Sequence, residues 1–121
     1  MNLKIKISKA KVSGRNAKIV QFFGHADGSN VDEVNTTILK FLENGDIDFD
    51  LILDGSSLNF VNSTFIGFLN DWSARTEKRN RKLVLANFQP NTIDTIKTVG
   101  ILDLIPHFES VTDAEQFLVK V

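Results

Sequence analysis

The sequence of 121 residues contains no cysteine. That excludes disulfides, thiolate zinc sites and cysteine nucleophiles, and it fits a reducing compartment. Nor is there an excess of one charge: 14 Lys and Arg stand against 15 Asp and Glu, a formal net charge of −1. Proteins that grip a duplex usually carry a basic excess that displaces counterions from phosphates, so nucleic acid is not an expected partner. Long apolar runs are missing too. Met1 to Ile7 alternates polar and apolar residues, whereas a signal peptide needs an unbroken apolar stretch and a membrane span about 20 such residues. The expectation is a cytoplasmic protein with no direct membrane insertion. Common catalytic motifs are absent as well: G-x-x-x-x-G-K-[ST], G-x-G-x-x-G and G-x-S-x-G do not occur. His25 and His107 are far from the i, i+4 spacing of a helical zinc site. No metal and no enzymatic activity are expected.

What is present is an ordinary globular composition, 42% hydrophobic and 24% charged. A chain of this length fits one domain over residues 1–121 and buries roughly two thirds of its unfolded surface, so it needs no staple. Leu3, Ile5 and Ile7 alternate with Lys4, Lys6 and Ser8, which predicts a half-buried strand whose lysines suit a sheet edge. Ser13-Gly14-Arg15-Asn16 is a turn signal, and Ala17 to Phe23 reads as the second strand of a hairpin. Gly24 to Asn30 is expected as a loop. Val31, Val34, Ile38, Phe41 and Leu42 mark one face of a helix that Asn44-Gly45 ends. Phe49 to Leu53 predicts a short strand, Thr64 to about Arg79 a second helix, and Leu83 to Ala86 another strand. A third helix follows Pro90, carries Ile93, Ile96 and Val99, and stops at Gly100. Leu104-Ile105 is expected as the last strand. Thr112 and Glu115 have the spacing of a capping box that opens a C-terminal helix. The order β-β-α-β-α-β-α-β-α gives an α/β fold: a mixed sheet of about five strands covered by four to five helices.

Three clusters invite a chemical reading. Asp46, Asp48 and Asp50 begin like a calcium loop, but Leu51 occupies the place of its glycine. A polar face leading into a strand accounts for them better. Arg75, Lys78, Arg79, Arg81 and Lys82 gather where the second helix ends. They either complement the helix dipole on a wet surface or dock an acidic partner. Ser63, at the start of that helix, has two uses. Its hydroxyl can cap the helix, or it can carry a phosphate, which would meet free N–H groups and add about −1.5 to −2 charges.

The stretch Leu51-Ile52-Leu53-Asp54-Gly55-Ser56-Ser57-Leu58-Asn59-Phe60-Val61-Asn62-Ser63-Thr64-Phe65-Ile66-Gly67 resembles a known family, the STAS domain. That domain is shared by anti-sigma-factor antagonists and the cytoplasmic tails of sulfate transporters. Its pattern is an apolar strand, L-D-[LF]-S, a spacer and F-[MI]-D-S-[SA]-G-[LI]-G. Gly24-His25-Ala26-Asp27 is similar to the G-x-[LI]-D after the second strand, and Lys82 to Ile105 to the family's last third with its T-G-L ending.

The resemblance implies a STAS fold and a partner switch of the anti-sigma-factor-antagonist type. Ser63 matches the serine that a partner kinase phosphorylates, and Asp27 an acid lying near it. The unphosphorylated protein would dock on a serine kinase and anti-sigma factor of the histidine-kinase-like ATPase fold. Phosphorylation would break the docking and a PP2C-type phosphatase would restore it. ATP and Mg²⁺ belong to the kinase, so no cofactor is implied for this chain. The partner surface would comprise Asp27, Asn62, Ser63, Thr64, Phe65, Ile66 and Gly67. Two residues depart from the pattern: Asn62 replaces an Asp, and Phe65, either a core residue or part of the docking patch, stands where the family has Gly. The alternative is a constitutively bound STAS accessory subunit of an ABC-type lipid transporter, which would not be phosphorylated.

Overall fold

The computed structural model describes residues 2–10, 12–28, 30–43 and 48–120. The expected loop residue Ser29, the helix stop at Asn44-Gly45 and the carboxylate of Asp46 lie outside them. Alternation in the first thirty residues produces β1 (Leu3–Ala10) and β2 (Ala17–Ala26), paired antiparallel as a hairpin. The 3.6-residue pattern that follows folds as α1 (Asn30–Glu43). Then come β3 (Asp50–Val61), α2 (Ser63–Glu77), β4 (Leu83–Ala86) and α3 (Pro90–Thr98). A 3₁₀ turn over Ile101–Asp103, β5 (His107–Phe108) and α4 (Val111–Val119) complete the order. The sheet runs β1-β2-β3-β4-β5, with β2 to β5 parallel.

Five local expectations change. β2 continues through Gly24, His25 and Ala26, expected as loop, because they pair with Leu58, Phe60 and Val61 of the next parallel strand, and Asn30 already begins α1. β3 is 12 residues long, because its second half continues beyond β4 and pairs with β2 through two register shifts. Gly55-Ser56-Ser57 carries loop chemistry in sequence, yet Gly55 is there because a side chain would collide with Phe88. A Cβ built on it would lie 2.6 Å from that ring. The last strand falls at His107–Phe108, after Pro106; Leu104 is instead 69% exposed beyond the 3₁₀ turn. α4 is capped by Ser110, whose side chain accepts from the Asp113 N–H at 3.0 Å. Thr112 therefore sits inside the helix. Finally, Ser63 is not a cap. Asn62 takes that position, its Oδ1 accepting the Phe65 N–H at 2.9 Å.

The two sheet faces are covered unequally. The larger core joins Val20 and Phe22 of β2 to Ile38 of α1, Leu69 and Trp72 of α2 and Ile96 of α3. Phe65 meets Phe22 and Trp72 edge-on, with ring centroids at 5.4 and 5.8 Å, while Phe22 and Trp72 stack at 6.2 Å. The buried Trp72 indole N–H donates to Asn35 Oδ1 at 2.8 Å, tying α2 to α1. On the opposite face α4 alone packs, placing Ala114 and Leu118 over Ile52, Val84 and Ala86.

At the N-terminal end of the parallel strands Asp50 is completely buried. Arg15 Nε and Nη2 donate to its two oxygens at 2.7 and 3.0 Å, Arg81 contributes a second fork, and the Lys82 N–H donates at 2.8 Å. Burial pushes the carboxyl pKa up, but these hydrogen bonds prevail and hold it below its ordinary value. An oxygen set bound by two guanidinium groups is no calcium ligand, and Asp48 is likewise paired, with Arg81 at 2.9 Å. Within the basic cluster, Arg75 bonds Asp71 at 2.9 Å and Glu43 at 3.2 Å. Arg75 and Arg81 are thus held by the protein's own acids.

Candidate functional site: the β3–α2 junction

Parallel strands place their C-terminal ends side by side, and helices begin there. Ala26 pairs with Val61, so Asp27, the next residue of β2's chain, and Asn62, the next of β3's, leave adjacent strand ends. The register thereby brings Asp27 to the same rim as Asn62, Ser63 and Thr64. Asp27 is half-buried and organises the entry to α1. Asn30 Nδ2 donates to Asp27 Oδ1 at 3.0 Å and to the His25 carbonyl at 2.9 Å, while the Asp27 N–H donates to Asn30 Oδ1 at 3.1 Å.

Ser63 opens α2 and is exposed, as is Thr64. Neither hydroxyl makes a hydrogen bond with the described residues. The first turn of α2 contains no acid, and Asn62, neutral where the family pattern has Asp, adds none. An anion at Ser63 would meet the positive end of the helix dipole with its first N–H groups unpaired within the helix.

Gly67 is exposed one turn on, and a Cβ there would meet nothing within 4 Å. Phe65 and Ile66 correct the expected surface. Phe65 is 0% exposed and Ile66 2%. Both point into the core because the apolar stripe of α2 runs through them, and Phe65 belongs to the aromatic group against Phe22. Phe65 is a core residue, not part of a docking patch.

The exposed apolar surface beside Ser63 comes from elsewhere in the chain. A shallow groove of about 320 Å³ is lined on one side by Ser63, Ile66, Gly67 and Asn70, and on the other by Val99, Gly100, Ile101 and Leu104. Val99 is 60% and Leu104 69% exposed. Gly100 takes φ +84, a left-handed turn that ends α3 and starts the 3₁₀ turn. Periodicity assigns Val99 and Leu104 to helix and strand interiors and so misses them. The available signal was density: Val99-Gly100-Ile101-Leu102 with Leu104 holds more apolar residues than one short turn can bury.

The arrangement is a mixed-sheet α/β fold offering exposed hydroxyls at a helix start, beside an apolar groove. The chain belongs to the STAS domain family, whose model matches residues 8–114. Solved structures share the fold. The anti-sigma factor antagonist SpoIIAA of Bacillus, in its unphosphorylated form, is similar with a TM-score of 0.77 at 15% identity, covering 98% of each chain. An anti-sigma factor antagonist from Mycobacterium paratuberculosis gives 0.75 at 20% identity, over 95% of this chain and 94% of that one. The murine Slc26a9 anion transporter gives 0.73 at 20% identity; 99% of this chain is covered but only 22% of the transporter. At such identities these likenesses speak for the fold alone. No curated protein sequence matches the chain significantly. STAS domains are in general regulatory or accessory rather than catalytic. Among the described residues, no helix is long and apolar enough to cross a membrane.

Proposed function

We propose that this STAS domain is a cytoplasmic partner-switching regulator, working as an anti-sigma-factor antagonist does. It docks on a serine kinase and anti-sigma factor while Ser63 is unphosphorylated, releases it once Ser63 carries a phosphate, and is reset by a PP2C-type phosphatase. The observation that carries this reading is the state of Ser63: exposed at the first position of α2, unengaged by the described residues, with no acid in that turn. A phosphate there costs the fold nothing that it uses, yet places about −1.5 to −2 charges on the rim of an apolar groove. A partner side chain seated on Val99 and Leu104 would then face an ionised, hydrated neighbour. The docking surface is Asp27, Asn62, Ser63, Thr64 and Gly67 with Val99 and Leu104; Ile66 contributes only the groove floor and Phe65 nothing.

The test is intact-mass and peptide spectrometry of the protein from its native cells, with partner capture by Ser63→Ala and Ser63→Asp. A phosphate on Ser63, with capture by Ser63→Ala but not Ser63→Asp, is the expected result. A protein unmodified under varied growth conditions, whose partner ignores both substitutions, overturns the switch. That outcome would favour the constitutively bound accessory subunit.

A further inference from the structure

A second surface lies on the opposite face of the sheet and is independent of Ser63. α4 packs on β3, β4 and β5, and its apolar cluster reaches Ala17 of β2 with Ala10 and Ile19 against it; the other end of the same face, around Phe23 and Phe60, lies outside that cluster. Alternation and register define what lies there. On β2 the side chains of Gln21, Phe23 and His25 face away from the larger core, since Val20, Phe22 and Ala26 belong to it. Lys4 pairs with Phe23 and Lys6 with Gln21, and Phe60 of β3 pairs with His25. Phe23 is 37% and Phe60 47% exposed. They are diagonal neighbours on adjacent strands, flanked by exposed Lys4 and Lys6. Asp54, paired with Gln21, is half-buried and accepts the Ser56 N–H at 2.9 Å. Two part-exposed aromatic rings share this side of the sheet, and the charge beside them is positive.

Width and charge point to the occupant. β1, β2 and the outer part of β3 make a strip about 10 Å wide, the diameter of one helix. A second copy of this chain would bring Lys4 and Lys6 against their own kind. From this we infer that the open strip is a docking surface for an acidic amphipathic helix of a partner protein. Its apolar stripe would cover Phe23 and Phe60, and its carboxylates would meet Lys4 and Lys6.

The experiment uses the full chain, ¹⁵N-labelled, titrated with two designed helical peptides of about five turns. Both carry Leu along one stripe; one has Glu on its flanks, the other Lys. The expected result is that the Glu peptide binds roughly tenfold or more tightly than the Lys peptide, with amide shifts concentrated in β1, β2 and the Phe60 end of β3. Lys4→Glu with Lys6→Glu should invert that preference, Phe60→Ser should weaken the Glu peptide by about tenfold, and Ser63→Asp should leave it unchanged. Equal affinity for both peptides, no binding, or shifts confined to the Ser63 groove would overturn the inference. So would binding of phosphatidylglycerol vesicles without peptide binding, or self-association that Phe60→Ser abolishes. Because Ser63 takes no part, failure here leaves the phosphorylation switch standing, and the reverse holds too.

Discussion

At the scale of single residues, burial decides which charges matter. Asp50 is sealed between Arg15, Arg81 and the Lys82 N–H, whereas Arg75 bridges Asp71 and Glu43 in open solvent. Removing one partner of a buried pair strands the others without water, at about 3–5 kcal/mol, while an exposed pair is screened. Asp50→Ala should therefore lower the urea midpoint sharply, by that order of stability, and Arg75→Ala should leave it unmoved. Equal effects in equilibrium unfolding would refute the assignment. Gly55 poses a steric version of the same question. Its absent side chain leaves room for the Phe88 ring, itself only 6% exposed and unable to retreat. Gly55→Ala should cost about 1–3 kcal/mol through overpacking, whereas Gly67→Ala, with open space around it, should be neutral or slightly stabilising through helix propensity.

At the scale of elements, periodic signals in the sequence survive folding well and punctuation signals less so. The hairpin, α1, α2, β4 and α3 were all legible, because a stripe of Val, Ile, Leu and Phe at spacing two or 3.6 has one way to reach the core. Phe65 was legible as a core candidate from the stripe, and only the family pattern argued otherwise. The misses share a cause: several nearby residues can perform one local task, and tertiary contacts choose among them. Asn62 and Ser63 can both cap α2, Ser110 and Thr112 can both cap α4, and Gly55 reads as a turn until Phe88 is placed beneath it. Val99 and Leu104 were hidden because their role arises across the groove from α2, a relation that no local window contains. The caps give a direct prediction. Ser110→Ala should cost about 1 kcal/mol and Thr112→Ala much less, read by thermal unfolding; the reverse ranking would restore the box at Thr112. Asn62→Ala should cost a similar amount. Asn62→Asp keeps the capping oxygen and adds charge favourable to the dipole, so it should hold or raise stability by about 0.3–1 kcal/mol. It also sets a carboxylate beside Ser63, so a phosphate there should be less well tolerated.

The whole molecule joins two layers of different weight, a thick one under α1, α2 and α3 and a thin one under α4, and its polar anchors sit at the sheet's two ends. Asp50 closes the end where the parallel strands begin. Near where they finish, the Phe88 N–H donates to His107 Nε2 at 3.3 Å, with the two rings edge-on at 6.0 Å. Acid should undo these anchors in turn. Burial lowers the His107 pKa from its ordinary 6.5, against a smaller upward pull from Glu109. The unfolded chain therefore binds that proton more readily than the folded one, and stability begins to fall as pH drops through about 6.5, levelling once the folded imidazole is also charged. Protonation at Nε2 also abolishes the acceptor for Phe88. Asp50, held below its ordinary 3.8 by the arginines, has the same sign in a lower window: its contribution is intact above about 3.8 and fades as pH falls below that through the folded value. Unfolding free energies between pH 7.5 and 2.5 should decline in two steps. His107→Gln keeps an acceptor without a titratable ring, so it should flatten the upper step and leave the lower one. If that variant declines from pH 6.5 just as the parent does, His107 is not the group that senses mild acid.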